Sequence, residues 1–90
     1  MAAELLRLRR QHLEWLEADG EIVALDLDNS NYLATNPSGA LLWDALAEGA
    51  TLEELVAKLV ETFGIDPQVA RADVDAFVAQ LSEGGLLEEG

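Results

Sequence analysis

The hydrophobic pattern changes period once along the chain. From His12 to Thr35 apolar and polar residues alternate, as in strands with one covered face. From Pro37 to Leu81 the apolar residues recur every three or four positions, as on helices that pack along one stripe. In the first part, Leu13 and Trp15 fall on one side of a strand and Glu14 on the other. Asp19-Gly20 supplies a two-residue hairpin turn, because both residues tolerate the positive φ of a primed turn. Glu21 to Leu27 forms a second strand, with Val23, Leu25 and Leu27 on one face and Ile22, Ala24 and Asp26 on the other. Asp28-Asn29-Ser30-Asn31 is a turn cluster, and Tyr32-Leu33-Ala34-Thr35 a short third strand. The result is a three-stranded antiparallel meander whose two outer strands have open edges unless another segment covers them.

The helical part is clearly punctuated. Asn36-Pro37 is an N-cap followed by proline at the first helical position, where the missing N–H costs nothing. That helix carries Leu41, Leu42, Trp43, Ala45 and Leu46 and stops at Gly49. Thr51-x-x-Glu54 is a capping box. The second helix lines up Leu52, Leu55, Val56, Leu59, Val60 and Phe63 before Gly64 ends it. Asp66-Pro67 repeats the cap-and-proline start. The third helix buries Ala70, Val74, Phe77, Val78 and Leu81; Gly84-Gly85 ends it, and Leu86-Leu87 folds back as a plug. The predicted class is α+β, a three-stranded antiparallel β-meander followed by three helices, with the element order of a winged helix-turn-helix.

Charge changes what that scaffold is expected to bind. The 90 residues include 18 acidic and 5 basic ones, for a net charge of −13. Nucleic-acid affinity rests on Lys and Arg neutralising phosphates, and a chain this acidic is repelled by polyanions and anionic membranes. The third helix sets Asp73, Asp75 and Glu83 against Arg71 alone. A recognition helix with that balance repels DNA, so no nucleic-acid partner is expected. No apolar run approaches the ~20 residues of a membrane span, and no secretory signal opens the chain; the expected setting is the cytoplasm, with no membrane partner. Three of the basic residues, Arg7, Arg9 and Arg10, cluster near the start. Residues 1–11 are therefore read as a basic arm, either frayed or folded back onto the acidic body or a partner. Residues 12–87 are the domain and 88–90 an acidic tail.

Catalytic chemistry is sparse. Cysteine is absent and His12 is the one histidine, which removes thiol chemistry and a histidine zinc cluster. Ser38 lacks the glycine spacing of a nucleophile elbow. No phosphate-binding glycine loop or dinucleotide fingerprint occurs, and the acids between Glu14 and Asp28 do not have the spacing of a calcium loop. No enzyme activity, metal or cofactor is expected.

Binding remains, and two features locate it. The edge of Tyr32–Thr35 offers unpaired N–H and C=O groups that an extended peptide completes by strand addition. On the third helix Val69, Ala72, Ala76 and Ala79 form a line of small apolar residues. Between that line and the core lie Asp73, Gln80 and the shoulder of Phe77, one acidic wall and one apolar pocket for a groove.

Two runs carry a family resemblance. One is Asp19-Gly20-Glu21-Ile22-Val23-Ala24-Leu25-Asp26 with Asn31-Tyr32-Leu33-Ala34-Thr35-Asn36-Pro37-Ser38-Gly39-Ala40-Leu41-Leu42-Trp43. The other is Ala72-Asp73-Val74-Asp75-Ala76-Phe77-Val78-Ala79-Gln80-Leu81 followed by Gly85-Leu86-Leu87. Together they resemble the PqqD-like family over residues 12–87. The resemblance implies a non-catalytic recognition element for ribosomally made, modified peptides. It implies that a precursor's leader binds as an added strand on the third strand, in the groove beside the third helix. It also implies delivery to a separate processing enzyme, either a radical-SAM protein in quinone-cofactor synthesis or a leader protease and cyclase in lasso-peptide synthesis. Carried over by position, Tyr32, Leu33, Ala34 and Thr35 would pair through their backbone, and Asp73, Ala76, Phe77 and Gln80 would contact side chains. The competing readings are a winged-helix transcriptional regulator and a module that self-associates through Tyr32–Thr35; the expected state is a monomer or weak homodimer.

Overall fold

A computed structural model describes residues 4–88. Its elements run β1 (Leu13–Ala18), β2 (Glu21–Asp26), β3 (Asn31–Ala34), α1 (Pro37–Glu48), α2 (Leu52–Phe63) and α3 (Pro67–Glu83). The α+β reading and the order of its elements hold. Asp19 and Gly20 adopt φ of 54° and 78°, a primed turn that matches the twist of the hairpin they join. All three helix starts form as the sequence specifies. The Asn36 side chain accepts from Gly39 N–H, the Thr51–Glu54 capping box closes both ways, and Asp66 accepts from Gln68 N–H.

The sheet is antiparallel in the order β1-β2-β3. Its inner face carries Leu13, Ile22 and Ala24, which pack on Leu42, Trp43 and Leu46 of α1 and on the helical core of Leu55, Leu59, Ala70, Val74 and Leu81. Trp15 meets Trp43 edge-on, with ring centroids 5.5 Å apart. The helix stripes are narrower than the sequence pattern suggests. Phe77 and Val78 sit half-buried on the two shoulders of α3, and Phe63 is exposed.

The inner face of β2 is not its more apolar one. Ile22, Ala24 and Asp26 point inward, while Val23, Leu25 and Leu27 face outward. Asp26 tolerates 5% exposure because both of its carboxylate oxygens accept hydrogen bonds. Its Oδ1 accepts from Arg9 Nη2 at 2.6 Å and from Asp28 N–H at 3.1 Å, and its Oδ2 accepts from Asn29 Nδ2 at 2.8 Å.

Arg9 also explains the N-terminal segment. Of the two readings for residues 1–11, folding back is what residues 6–9 do, and fraying is corrected for that stretch. Leu6 bridges Ala50, Leu8 bridges Leu87, and Leu8 is a core residue at 2% exposure. The Arg9 guanidinium donates to the carbonyls of Gln11, His12 and Gly85 as well as to Asp26. One side chain thus ties the start of the chain to the end of β2 and the end of α3. Leu86 is buried and Leu87 half-buried, as the plug reading requires. Glu89 and Gly90 of the acidic tail lie outside the described residues. No helix among the described residues is long and apolar enough to cross a membrane.

Candidate functional site

The ladder between β2 and β3 decides which groups of β3 are free. Thr35 N–H donates to Ile22 C=O at 2.9 Å, and Ile22 N–H donates to Thr35 Oγ1 at 3.1 Å. This makes 22/35 a bonded pair. Antiparallel rungs alternate, so Leu33 opposite Ala24 and Asn31 opposite Asp26 also turn their N–H and C=O toward β2. The intervening Tyr32 and Ala34 turn theirs outward. Since β3 is the outermost strand and no other described segment bridges to it, that edge is open. The expectation that all of Tyr32–Thr35 would pair through the backbone is therefore narrowed. Thr35 closes the inner ladder and is buried, and two residues, Tyr32 and Ala34, carry the free edge.

Side chains follow the opposite parity. Tyr32 lies on the outer face, 77% exposed, beside Leu25 and near Val23 and Leu16. Leu33 points inward and is half-buried. Under it a cavity of about 270 Å³ opens between β3 and the C-terminal half of α3. Leu13, Ala24, Leu33, Leu81 and Leu86 give it an apolar floor; Asp26, Asn31 and Gln80 give it polar walls. The Asp26 carboxyl is held down to a pKa of about 2, mainly by the Asn29 hydrogen bond and next by Arg9. It faces the cavity as a fixed anion and hydrogen-bond acceptor.

On α3, Asp73, Phe77, Gln80 and Gly84 are spaced four, three and four apart, so they form one row on the shoulder toward β3. The Phe77 ring packs against Gly39 in the first turn of α1. A Cβ placed on Gly39 would stand 3.0 Å from Thr35 Cβ and 3.3 Å from Phe77 Cε1, so glycine is what lets strand, helix and ring meet there. Ala76 sits farther round the helix, exposed, at the outer rim. Val69, Ala72 and Ala79 are exposed. The sequence reading did not include Leu13, Asp26, Gly39, Gly84 or Leu86 in the site. Inner-face parity identifies Leu13 and Asp26; the other three depend on how the helix ends pack.

The family model for "Coenzyme PQQ synthesis protein D (PqqD)" matches residues 21–87. The chain belongs to the PqqD family. Two similar solved structures extend that result. "TbiB1 in Complex with the TbiA(beta) Leader Peptide" has a TM-score of 0.83 and 25% identity, covering 93% of this chain and 96% of that one. "Lasso peptide synthetase B1 complexed with the leader peptide" has a TM-score of 0.79 and 25% identity, covering 93% and 98%. No curated protein matches the chain. Both structures are complexes with a leader peptide, and this PqqD-family fold has an open edge beside an apolar groove.

Proposed function

We propose that this chain is a non-catalytic adaptor that binds the leader segment of a ribosomally synthesised precursor peptide. The leader adds as a fourth strand on Tyr32 and Ala34, its inward side chains lying in the groove against Leu33, Phe77 and Gln80. The adaptor presents the bound precursor to a separate processing enzyme, a radical-SAM enzyme or a leader protease with its cyclase. The observation that carries this reading is the outward N–H and C=O parity of β3 beside an apolar groove, in a fold shared with two leader-peptide complexes. Main-chain bonds give such a site affinity, and the groove side chains give it specificity.

Charge supports a peptide rather than DNA. On α3, Asp73, Asp75 and Glu83 are exposed, and Arg71 is already paired with Asp75 at 3.2 Å. Among the described residues, no three histidines or carboxylates are grouped to hold a metal ion. The test is titration of ¹⁵N-labelled protein with synthetic precursor leader peptides. Binding at micromolar or tighter affinity, with amide shifts in 32–35 and along the Asp73–Gln80 shoulder, is expected. Saturating leader that leaves those amides in place would remove the reading.

A further inference from the structure

The groove has two walls, β3 with the end of β2 on one side and α3 with its exit on the other. Apolar contacts between them fix no separation, because hydrophobic attraction is non-directional. Among the described residues no hydrogen bond joins the strands directly to α3 or to residues 84–87. Arg9 makes that connection instead. Its Nη2 donates to Asp26 Oδ1 at 2.6 Å, and Asp26 stands opposite Asn31 at the start of β3. Its Nη1 donates to the Gly85 carbonyl at 2.9 Å, and its backbone N–H to the Leu86 carbonyl at 2.7 Å. Asp26 and Asn31 line the cavity from the strand side, Gly84 and Leu86 from the helix side. One guanidinium therefore spans the two walls, and its planar fork holds its donors at fixed angles.

The rest of the arm anchors Arg9. Leu8 N–H donates to Leu46 C=O at 3.0 Å, and Glu88 N–H to Arg7 C=O at 2.7 Å. None of these bonds involves Tyr32 or Ala34. Arg9 also precedes the span, residues 21–87, that matches the family model. A guest strand must fit its backbone to β3 and its inward side chains to α3 at once. A gap already held at one width spares the ordering cost that a loose gap adds on binding.

We propose that Arg9 is a positioning residue for leader binding: by bridging Asp26 and the Gly85 carbonyl it holds the two walls at the spacing a guest strand needs, and so couples the N-terminal arm to leader affinity. This rests on the strand-addition reading above, and it assigns Arg9 no contact with the guest. Such coupling is reciprocal. If the closed arm favours the leader, bound leader favours the closed arm by the same factor.

The experiment uses the full chain and synthetic precursor leader peptides. Amide exchange of the wild type is measured first, because it needs no variant. Leader is expected to slow the amides of Leu8, Arg9 and Glu88 by about fivefold or more, the lower end of ordinary coupling between sites. The slowing should level off once the site is filled; slowing through global unfolding keeps rising with leader concentration. Arg9→Lys keeps the charge beside Asp26 and lacks the fork. It is expected to fold and to weaken the leader Kd by a similar factor. Thr51→Ala, a destabilised control, should keep the wild-type Kd. Arm amides that exchange equally fast with and without leader, slowing that never levels off, or a folded Arg9→Lys with the wild-type Kd would each overturn the positioning role. Wild type that binds no leader overturns the adaptor reading and this role with it, whereas wild type and Arg9→Lys binding alike overturns this role alone.

Discussion

Replacing Ala34 with proline removes one outward N–H and leaves the rungs to β2 intact, because Asn31, Leu33 and Thr35 carry those. Proline is tolerated on an edge strand where its nitrogen faces away from the sheet, so the variant should fold. The loss is one guest hydrogen bond, net about 0.5–1.5 kcal/mol, or a Kd weaker by about 2- to 12-fold. The upper end applies if the guest carbonyl finds no water in its place. Leu33→Pro makes the opposite change. It removes an inner rung and leaves the facing Ala24 carbonyl without its donor, at about 1–3 kcal/mol. In a domain of this size each kcal/mol lowers the melting temperature by about 4–8 °C. Calorimetric titration with the leader and thermal melts of both variants separate the two effects. Ala34→Pro should lose affinity at a near-normal melting temperature, whereas Leu33→Pro should melt early. A folded Ala34→Pro variant with unchanged Kd, or one as unstable as Leu33→Pro, would refute the parity argument.

Three further outcomes follow from the same geometry. Asp26 has a folded pKa of about 2 against an ordinary 3.8, so its contribution to stability is complete above pH 3.8 and is lost as pH falls through about 2. Asp26→Asn should therefore melt below the wild type at neutral pH, and the two melting curves should converge on acidification; a gap as large near pH 2 as at neutral pH would contradict this. Thr51→Ala breaks the capping box far from the groove, costing about 1 kcal/mol and lowering the melting temperature by several degrees with leader affinity unchanged. A gel shift at low salt should show no DNA retained, and retention would favour the transcription-factor reading.

Much of the fold can be read from turn and cap chemistry. Asp19-Gly20, Asn36-Pro37, Thr51-x-x-Glu54 and Asp66-Pro67 each fix a local conformation with groups only a few residues apart, and each forms as expected. What the sequence left open depends on distant partners. Leu6 and Leu8 alternate with Arg7 and Arg9 in a strand-like pattern, but only their pairing with Ala50 and Leu87 turns that pattern into core. The buried face of β2 is decided by Arg9, seventeen residues away, which makes an inward Asp26 acceptable. The site divides in the same way. The edge strand and the Asp73/Phe77/Gln80 row follow from periodicity. The parity that assigns Tyr32 and Ala34 to the edge needed the Ile22–Thr35 rung. Gly84-Gly85 reads as a plain helix stop, although Gly85 alone makes the turn.

Amide hydrogen exchange, residue by residue along β3, tests the account most directly. In the free protein Leu33 and Thr35 should be protected by β2, and Tyr32 and Ala34 should exchange quickly. At saturating leader the fast pair should slow and match their neighbours. Tyr32 and Ala34 that still exchange freely while the leader is bound would show that the guest does not sit on this edge.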